Sequence, residues 1–161
     1  MLHFYKNFFL RIYPLSLSLY FCGCLISPAI AQLQPDNSLG EENSVVTPNI
    51  NIMGKESESD RIDGGAQRGA NLFHSFQEFN IQQGRGVYFS NPDGVTNILT
   101  RVTGNNASNI LGTLGVDGKA DLFFINPNGI IFGPEAKLDV QGSFYGATAD
   151  SILFNLSLIH I

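Results

Sequence analysis

The sequence predicts an all-β protein, a single-domain right-handed parallel β-helix, or β-solenoid. Three observations predict it. No segment sustains apolar residues at i, i+3, i+4 and i+7, because Gly and β-branched residues interrupt every candidate helix. The runs Val87-Tyr88-Phe89 and Leu122-Phe123-Phe124-Ile125 are apolar at consecutive positions, which suits strands covered on both faces, as in a parallel sheet. The stretch from Val87 to Val95 also echoes the stretch from Leu122 to Ile130, setting Asn91 and Asn126 35 residues apart, a spacing found in repeat arrays. A β-sandwich is the competing fold; its strands would alternate polar and apolar more cleanly, and the echo would be coincidence.

The amino terminus reads as a targeting segment. Lys6 and Arg11 precede an apolar stretch from Ile12 to Ile26, and Ala29-Ile30-Ala31 closes it. Positive, apolar, then small-x-small is the order of a secretory signal peptide over residues 1–31, with cleavage between Ala31 and Gln32. Pro14 and several serines break the stretch, which is shorter than the roughly 20 apolar residues a spanning helix wants. Both cysteines, Cys22 and Cys24, fall in the removed part. The exported domain must therefore hold together by burial and backbone pairing, without disulfides.

The β-helix domain is expected over residues 32–153, with 32–62 an irregular leading segment. That segment contains an alternating run from Val45 to Ile52. Its acidic stretch Lys55-Glu56-Ser57-Glu58-Ser59-Asp60 has no apolar face and reads as a solvated loop. Short strands follow at 86–89, 95–102, 109–116, 121–125, 137–144 and 151–154, bounded by Gly, Asn and Pro. Asn91-Pro92-Asp93-Gly94 and Asn126-Pro127-Asn128-Gly129 are the turns. In each, Asn caps the turn with its side chain, Pro sets φ near −65°, and Gly accepts the last position. Rungs about 4.8 Å apart would stack like residues into ladders, which accounts for 13 Phe and only 14% charged residues. Residues 154–161 read as an unfinished tail. Leu156, Leu158, Ile159 and Ile161 are apolar where a solenoid wants a polar cap, as expected of a truncated reading frame or a fragment.

Charge narrows the function. Two of the nine basic residues lie in the first 31 positions and all 14 acidic residues lie after them, so the remainder carries a formal charge of −7. Nucleic acid and a basic membrane-binding face are excluded on that sign. His74 and His160 are the histidines left after cleavage, with no thiol, so no zinc-type ligand cluster exists and neither metal nor cofactor is expected. His74, among Leu72, Phe73, Phe76 and Phe79, reads as a packed histidine. Gly142-Ser143-Phe144-Tyr145-Gly146 is no nucleophile elbow, since its serine is off-centre. The glycines from Gly112 to Gly118 lack the Lys and the helix of a phosphate loop. Asp93, Asp117, Asp121, Glu135 and Asp139 are the acids that a β-helix lyase or hydrolase would gather. Three of them adjoin Gly or Pro, where acids serve turns, and only Arg101, Lys119 and Lys137 supply positive charge nearby. The domain is read as not an enzyme. A carbohydrate-binding surface module is the stronger alternative, with Tyr88 and Tyr145 as exposed rings to stack on sugars.

Several stretches together resemble the amino-terminal two-partner secretion domain of filamentous-haemagglutinin-type exoproteins. They are Asn71-Leu72-Phe73-His74-Ser75-Phe76, Phe79-Asn80-Ile81, Val87 to Pro92, Arg101-Val102-Thr103-Gly104, Ile110-Leu111-Gly112 and Asn126-Pro127-Asn128-Gly129-Ile130-Ile131-Phe132-Gly133. The resemblance spans about residues 33–153. Asn126 to Ile130 matches one family signature unchanged. The other, usually Asn-Pro-Asn-Leu, has Asn91-Pro92-Asp93-Gly94 as its counterpart, altered at the last two positions. The resemblance implies a right-handed β-helix exported through the periplasm to the cell surface or the medium. It implies as partner a cognate outer-membrane β-barrel transporter with periplasmic recognition domains. An adhesin-like role toward surface carbohydrate or a host or neighbouring cell would reside in the larger exoprotein. The targeting segment generates one prediction: mass spectrometry of the exported chain finds its amino terminus at or near Gln32, and an intact Met1 would refute the cleavage.

Overall fold

The computed structural model describes residues 33–55, 58–154 and 157–160; the signal segment, its cleavage point and both cysteines lie outside the described residues. The strands are β1 (Leu33–Pro35), β2 (Ser44–Ile50), β3 (Ser59–Gly64), β4 (Ala66–Arg68), β5 (Asn71–Phe79), β6 (Gly86–Ser90), β7 (Asn97–Val102) and β8 (Ser108–Ile110). They continue as β9 (Thr113–Asp117), β10 (Asp121–Ile125), β11 (Ile130–Phe132), β12 (Lys137–Asp139), β13 (Phe144–Ala147), β14 (Ser151–Phe154) and β15 (Ser157–His160). A single 3-10 turn, Gly40–Glu42, is the one helical element among the described residues.

These strands wind into a β-solenoid of about four turns with three faces. β3, β6, β9 and β12 stack in parallel on one face, and β5, β7, β10 and β13 on a second. The third is narrower: a bridge from Ile81 to Ile110, then β8 on β11. In-register stacking puts like residues in columns. Leu72, Ile98, Leu122 and Phe144 form one inward column, and Val87, Leu114 and Leu138 another. Burying these columns, at about 25 cal/mol per Å² of apolar surface, drives a fold with no disulfide among its described residues. Asn ladders form as well: Asn97 Nδ2 donates to Asn71 Oδ1 at 2.9 Å, and Asn109 Nδ2 to Asn80 Oδ1 at 3.2 Å.

One turn of the solenoid spans 22 residues, from Leu122 to Phe144, up to 29, from Ile81 to Ile110. The 35-residue echo is therefore not the rung period. Asn91 follows β6 on the first face, whereas Asn126 follows β10 on the second. The two motifs solve the same local problem, leaving a buried strand through a tight corner, at different corners.

Three further readings are corrected. The expected strands 109–116 and 137–144 are each two strands, because Leu111-Gly112 and the run from Val140 to Ser143 turn the chain from one face to the next. The leading segment is not irregular: β2 pairs antiparallel with β3, and β1 and β4 pair antiparallel with β5, so antiparallel strands cover the first turn's edges. An uncovered parallel edge would be an aggregation template. The solvated loop likewise ends early, since Ser59 and Asp60 are buried in β3.

A clasp crosses the outer side of the first face. Tyr88, Gly115 and Asp139 are in register on consecutive turns. Tyr88 lies flat over Gly115, where a Cβ would come within 2.4 Å of the ring, and its hydroxyl donates to Asp139 Oδ2 at 3.0 Å. Lys55 Nζ, from the loop before β3, sits 4.7 Å above the Tyr88 ring and 2.7 Å from the same oxygen. The Lys55 hydrogen bond, helped by Tyr88, holds the Asp139 carboxyl below its usual pKa against the opposing effect of burial.

His74 is packed in the core, as its apolar neighbours suggested. Its ring centroid lies 5.1 Å from that of Phe89, and Nδ1 is 2.9 Å from Ser44 Oγ of the covering strand β2. Burial pulls its pKa down to about 4, with Asp63 opposing weakly. The unfolded chain, with an ordinary histidine near 6.5, binds the proton first. Stability is thus full above pH 6.5 and falls as pH drops toward 4, by about 3 kcal/mol in all. Urea unfolding across this window will show that slope in the native chain and a flatter one in His74→Phe.

Candidate functional site

The two Asn-Pro corners are where the sequence concentrates specific chemistry, and the structure gives them different jobs. Asn126 is fully buried. Its Nδ2 donates to Asn106 O and to Ser108 Oγ, both at 3.0 Å, on the turn below. Its Oδ1 accepts the Asn128 N–H at 2.9 Å, and its own N–H donates to Ala147 O at 3.0 Å on the turn above. Gly129 N–H closes the β-turn onto Asn126 O at 3.0 Å, with Gly129 at φ 119°. The side chain thus caps its own turn and ties it to the turn below, while the backbone N–H of the same residue joins the turn above.

Asn91 reaches outward along the stack. Its Oδ1 accepts from the backbone N–H of Lys119 at 2.9 Å and of Ala120 at 3.0 Å, both on the next turn. Its Nδ2 donates to Val95 O at 2.9 Å. Because the carboxamide is engaged there, the local turn closes one residue later, from Val95 N–H to Pro92 O at 3.1 Å, with Gly94 at φ 80°. Gly118 makes room: a Cβ there would come within 2.3 Å of Asn91 Oδ1. Both asparagines bond their own turns with their side chains, Asn126 through Oδ1 and Asn91 through Nδ2, and Asn91 Oδ1 reaches the next turn as well.

The motif residues divide by exposure. Asn126 is buried, Asn91, Pro127, Gly129 and Ile130 are half-buried, and Pro92, Asp93, Gly94 and Asn128 are exposed. Asn128 Nδ2 donates to Gly104 O at 2.7 Å, so its exposed side chain is held in place. Pro92, Asp93 and Gly94 form an exposed surface tip, held at its base by the bonds that Pro92 O accepts from Val95 N–H and Asn91 Nδ2.

The sugar-stacking pair is not assembled. Tyr88 is buried beneath Lys55, and Tyr145, 49% exposed, has one ring face stacked on Phe123 at 4.5 Å and 12°. Three of the five candidate acids are engaged in structural contacts. Asp139 is clasped by Lys55 and Tyr88, Asp121 Oδ1 accepts the Ser143 N–H at 2.7 Å, and Glu135 accepts from Gln83 Nε2 at 2.7 Å. Asp93 and Asp117 stand exposed beside turns. Among the described residues no group of three or more His, Cys, Asp or Glu is placed to hold a metal ion.

Sequence reasoning missed a polar knot at the amino-terminal cap. The Asp36 carboxylate accepts from Ser75 Oγ at 2.7 Å and Thr103 Oγ1 at 2.6 Å, and Arg101 Nε donates to Ser75 Oγ at 3.0 Å. Burial raises the Asp36 pKa, but the hydrogen bonds from Ser38, Thr103 and Ser75 outweigh it and leave the group below its usual value. Only the parallel register of Ser75 with Arg101 brings these residues together, which no local pattern announces.

A family model described as the TPS secretion domain matches residues 31–159. A heme/hemopexin-binding protein of Haemophilus influenzae is 34% identical over 106 residues, covering 66% of this chain and 10% of that protein. A second heme/hemopexin-binding protein of the same species is 37% identical over 67 residues, covering 42% of this chain and 7% of its own length. The chain thus spans about a tenth or less of these curated relatives.

The corners yield a stability test. Asn126→Ala strands the buried Ser108 hydroxyl and the partly buried Asn106 carbonyl and should lower the unfolding free energy by about 1–3 kcal/mol. Asn126→Asp should cost more, since it sets a carboxylate against Asn106 O with no donor. Asn91→Ala frees partly exposed N–H groups and should fall at the low end. Urea midpoints measured on the three variants check the order.

Proposed function

The chain belongs to the TPS secretion domain family, and on that premise we propose that it is the recognition address of an exoprotein delivered by a dedicated outer-membrane β-barrel transporter. The family match over residues 31–159 carries this reading. Membership makes it part of a secreted protein. The route is export across the inner membrane on residues 1–31, capture in the periplasm by the transporter's soluble domains, and folding at the cell surface.

The physics of the fold suits that route. A solenoid forms turn upon turn, so a chain emerging end first can fold progressively without waiting for distant contacts. The antiparallel cover over the first turn protects the leading edge as it appears. Recognition falls to exposed residues of the Asn-Pro corners, Asp93 and Asn128 foremost, while Asn91 and Asn126 hold the corners in shape. The domain acts by being recognised and secreted, with no catalytic step. The carbohydrate reading keeps no pair of free rings and is the weaker of the two.

The test pairs secretion with folding. Asp93→Ala and Asn128→Ala should reduce secretion through the cognate barrel by about fivefold, equivalent to about 1 kcal/mol of lost contact. Their circular dichroism should stay native. Both variants secreted at the normal level would refute recognition at these corners and leave them purely structural.

A further inference from the structure

Asn128 is the one asparagine of the sequence that is followed by glycine. That pair carries a chemistry of its own. A deprotonated backbone nitrogen can attack the side-chain carboxamide of the residue before it and close a succinimide ring. Here the new bond joins Gly129 N to Asn128 Cγ, and the Cγ–Nδ2 bond breaks. The amide nitrogen leaves as ammonia, carrying the proton that Gly129 N gave up. Water then opens the ring at either carbonyl and leaves aspartate or isoaspartate. Glycine favours the attack, because no Cβ crowds its nitrogen and its torsions are free. We propose that Asn128–Gly129 is a deamidation site which the unfolded chain exposes and the folded corner closes, so that position 128 records how long the chain has waited to fold.

Three hydrogen bonds of the corner oppose the ring. Gly129 N–H donates to Asn126 O at 3.0 Å, which holds the nucleophile's proton and fixes the peptide plane between Asn128 and Gly129. Asn128 N–H donates to Asn126 Oδ1 at 2.9 Å, which fixes the plane before it. Asn128 Nδ2 donates to Gly104 O at 2.7 Å on the turn below, which holds the leaving group. Ring closure needs the Asn128 side chain and the Gly129 plane to rotate toward each other, and neither turns without breaking a bond. Asn126 is fully buried, so the corner opens only together with the turns that enclose it. Asn128 itself is exposed; its protection comes from bonding and not from burial. The unfolded chain has none of these restraints. The products also matter to the fold. A carboxylate at position 128 has no proton for Gly104 O, and isoaspartate adds a methylene to the main chain inside the turn that Gly129 N–H closes.

This inference does not rest on the secretory role and is tested without a transporter. The purified exported chain is held at mildly alkaline pH, folded in buffer or unfolded in guanidinium chloride, and the amide-to-acid mass gain is mapped on its peptides over time. The unfolded chain should lose the amide at Asn128 before that of any other asparagine. The folded chain should lose it at least about tenfold more slowly, because the corner must first open. Gly129→Ala should slow the loss in the unfolded chain by about tenfold, since a Cβ then crowds the nitrogen. Folded Asn126→Ala, checked for native circular dichroism, lacks the acceptor of Asn128 N–H and should deamidate faster than the folded native chain. The Asp-Gly pairs at Asp63, Asp93 and Asp117 can close the same ring, but they lose and regain water at unchanged mass and add nothing to the gain. Equal rates in the folded and unfolded chains overturn the proposal. So does another asparagine leading in the unfolded chain, or a folded Asn126→Ala no faster than native, since the protection would then lie outside these bonds.

Discussion

Every backbone group in a strand must find a partner, and in this protein nearly all find theirs one turn above or below. That constraint of parallel, in-register stacking organises the rest. It forces turns of 22 to 29 residues to return each strand over its predecessor, despite differing loop lengths. It makes the inward columns continuous, and it demands a corner device wherever the chain leaves one face for the next. It also creates the edge problem at each end. The first turn answers it with antiparallel strands β1, β2 and β4, drawn from sequence that looks too polar for structure.

The corner asparagines show how side chains share the burden with the backbone. A carboxamide carries two donors and an acceptor that accepts twice, matching a place where a tight turn orphans several backbone groups at once. Asn126 applies that capacity to its own turn and the turn below from a fully buried position, and Asn91 applies it upward to the Gly118–Ala120 bend. Neither leaves its functional group free. Any reading of the motif by another molecule therefore falls on its exposed residues, or on the chain before it folds.

The clasp at Lys55, Tyr88 and Asp139 and the knot at Asp36, Ser75 and Arg101 belong to a second layer, outside the sheets. Each joins the amino-terminal segment to later turns through partly buried charge. The exposed ion pairs of this chain, such as Arg68 with Glu42, contribute little by comparison, because water competes for both partners. Where the outer layer is built, as at Gly115, the sheet itself is cut back to glycine so that an aromatic ring can lie across it.

Much of this was legible from residues alone. Fold class follows from short consecutive apolar runs without helical period, and the corners follow from Asn, Pro and Gly at adjacent positions, because turn chemistry is local. His74 announced its burial through its neighbours. The rung period was not legible: two Asn-Pro motifs 35 residues apart imitated a repeat, while the true spacing varies with corner length and appears only when strands are paired. The structure of residues 33–62 was equally hidden, since a covering strand is recruited by the edge it covers and can be polar on its outer side. Which tyrosine is exposed was decided in three dimensions too, because Lys55 reaches Asp139 across 84 residues of sequence to bury Tyr88. Local conformational preference is written in consecutive residues. Register, cover and clasp are set by which strands meet, and only the folded chain brings those strands together.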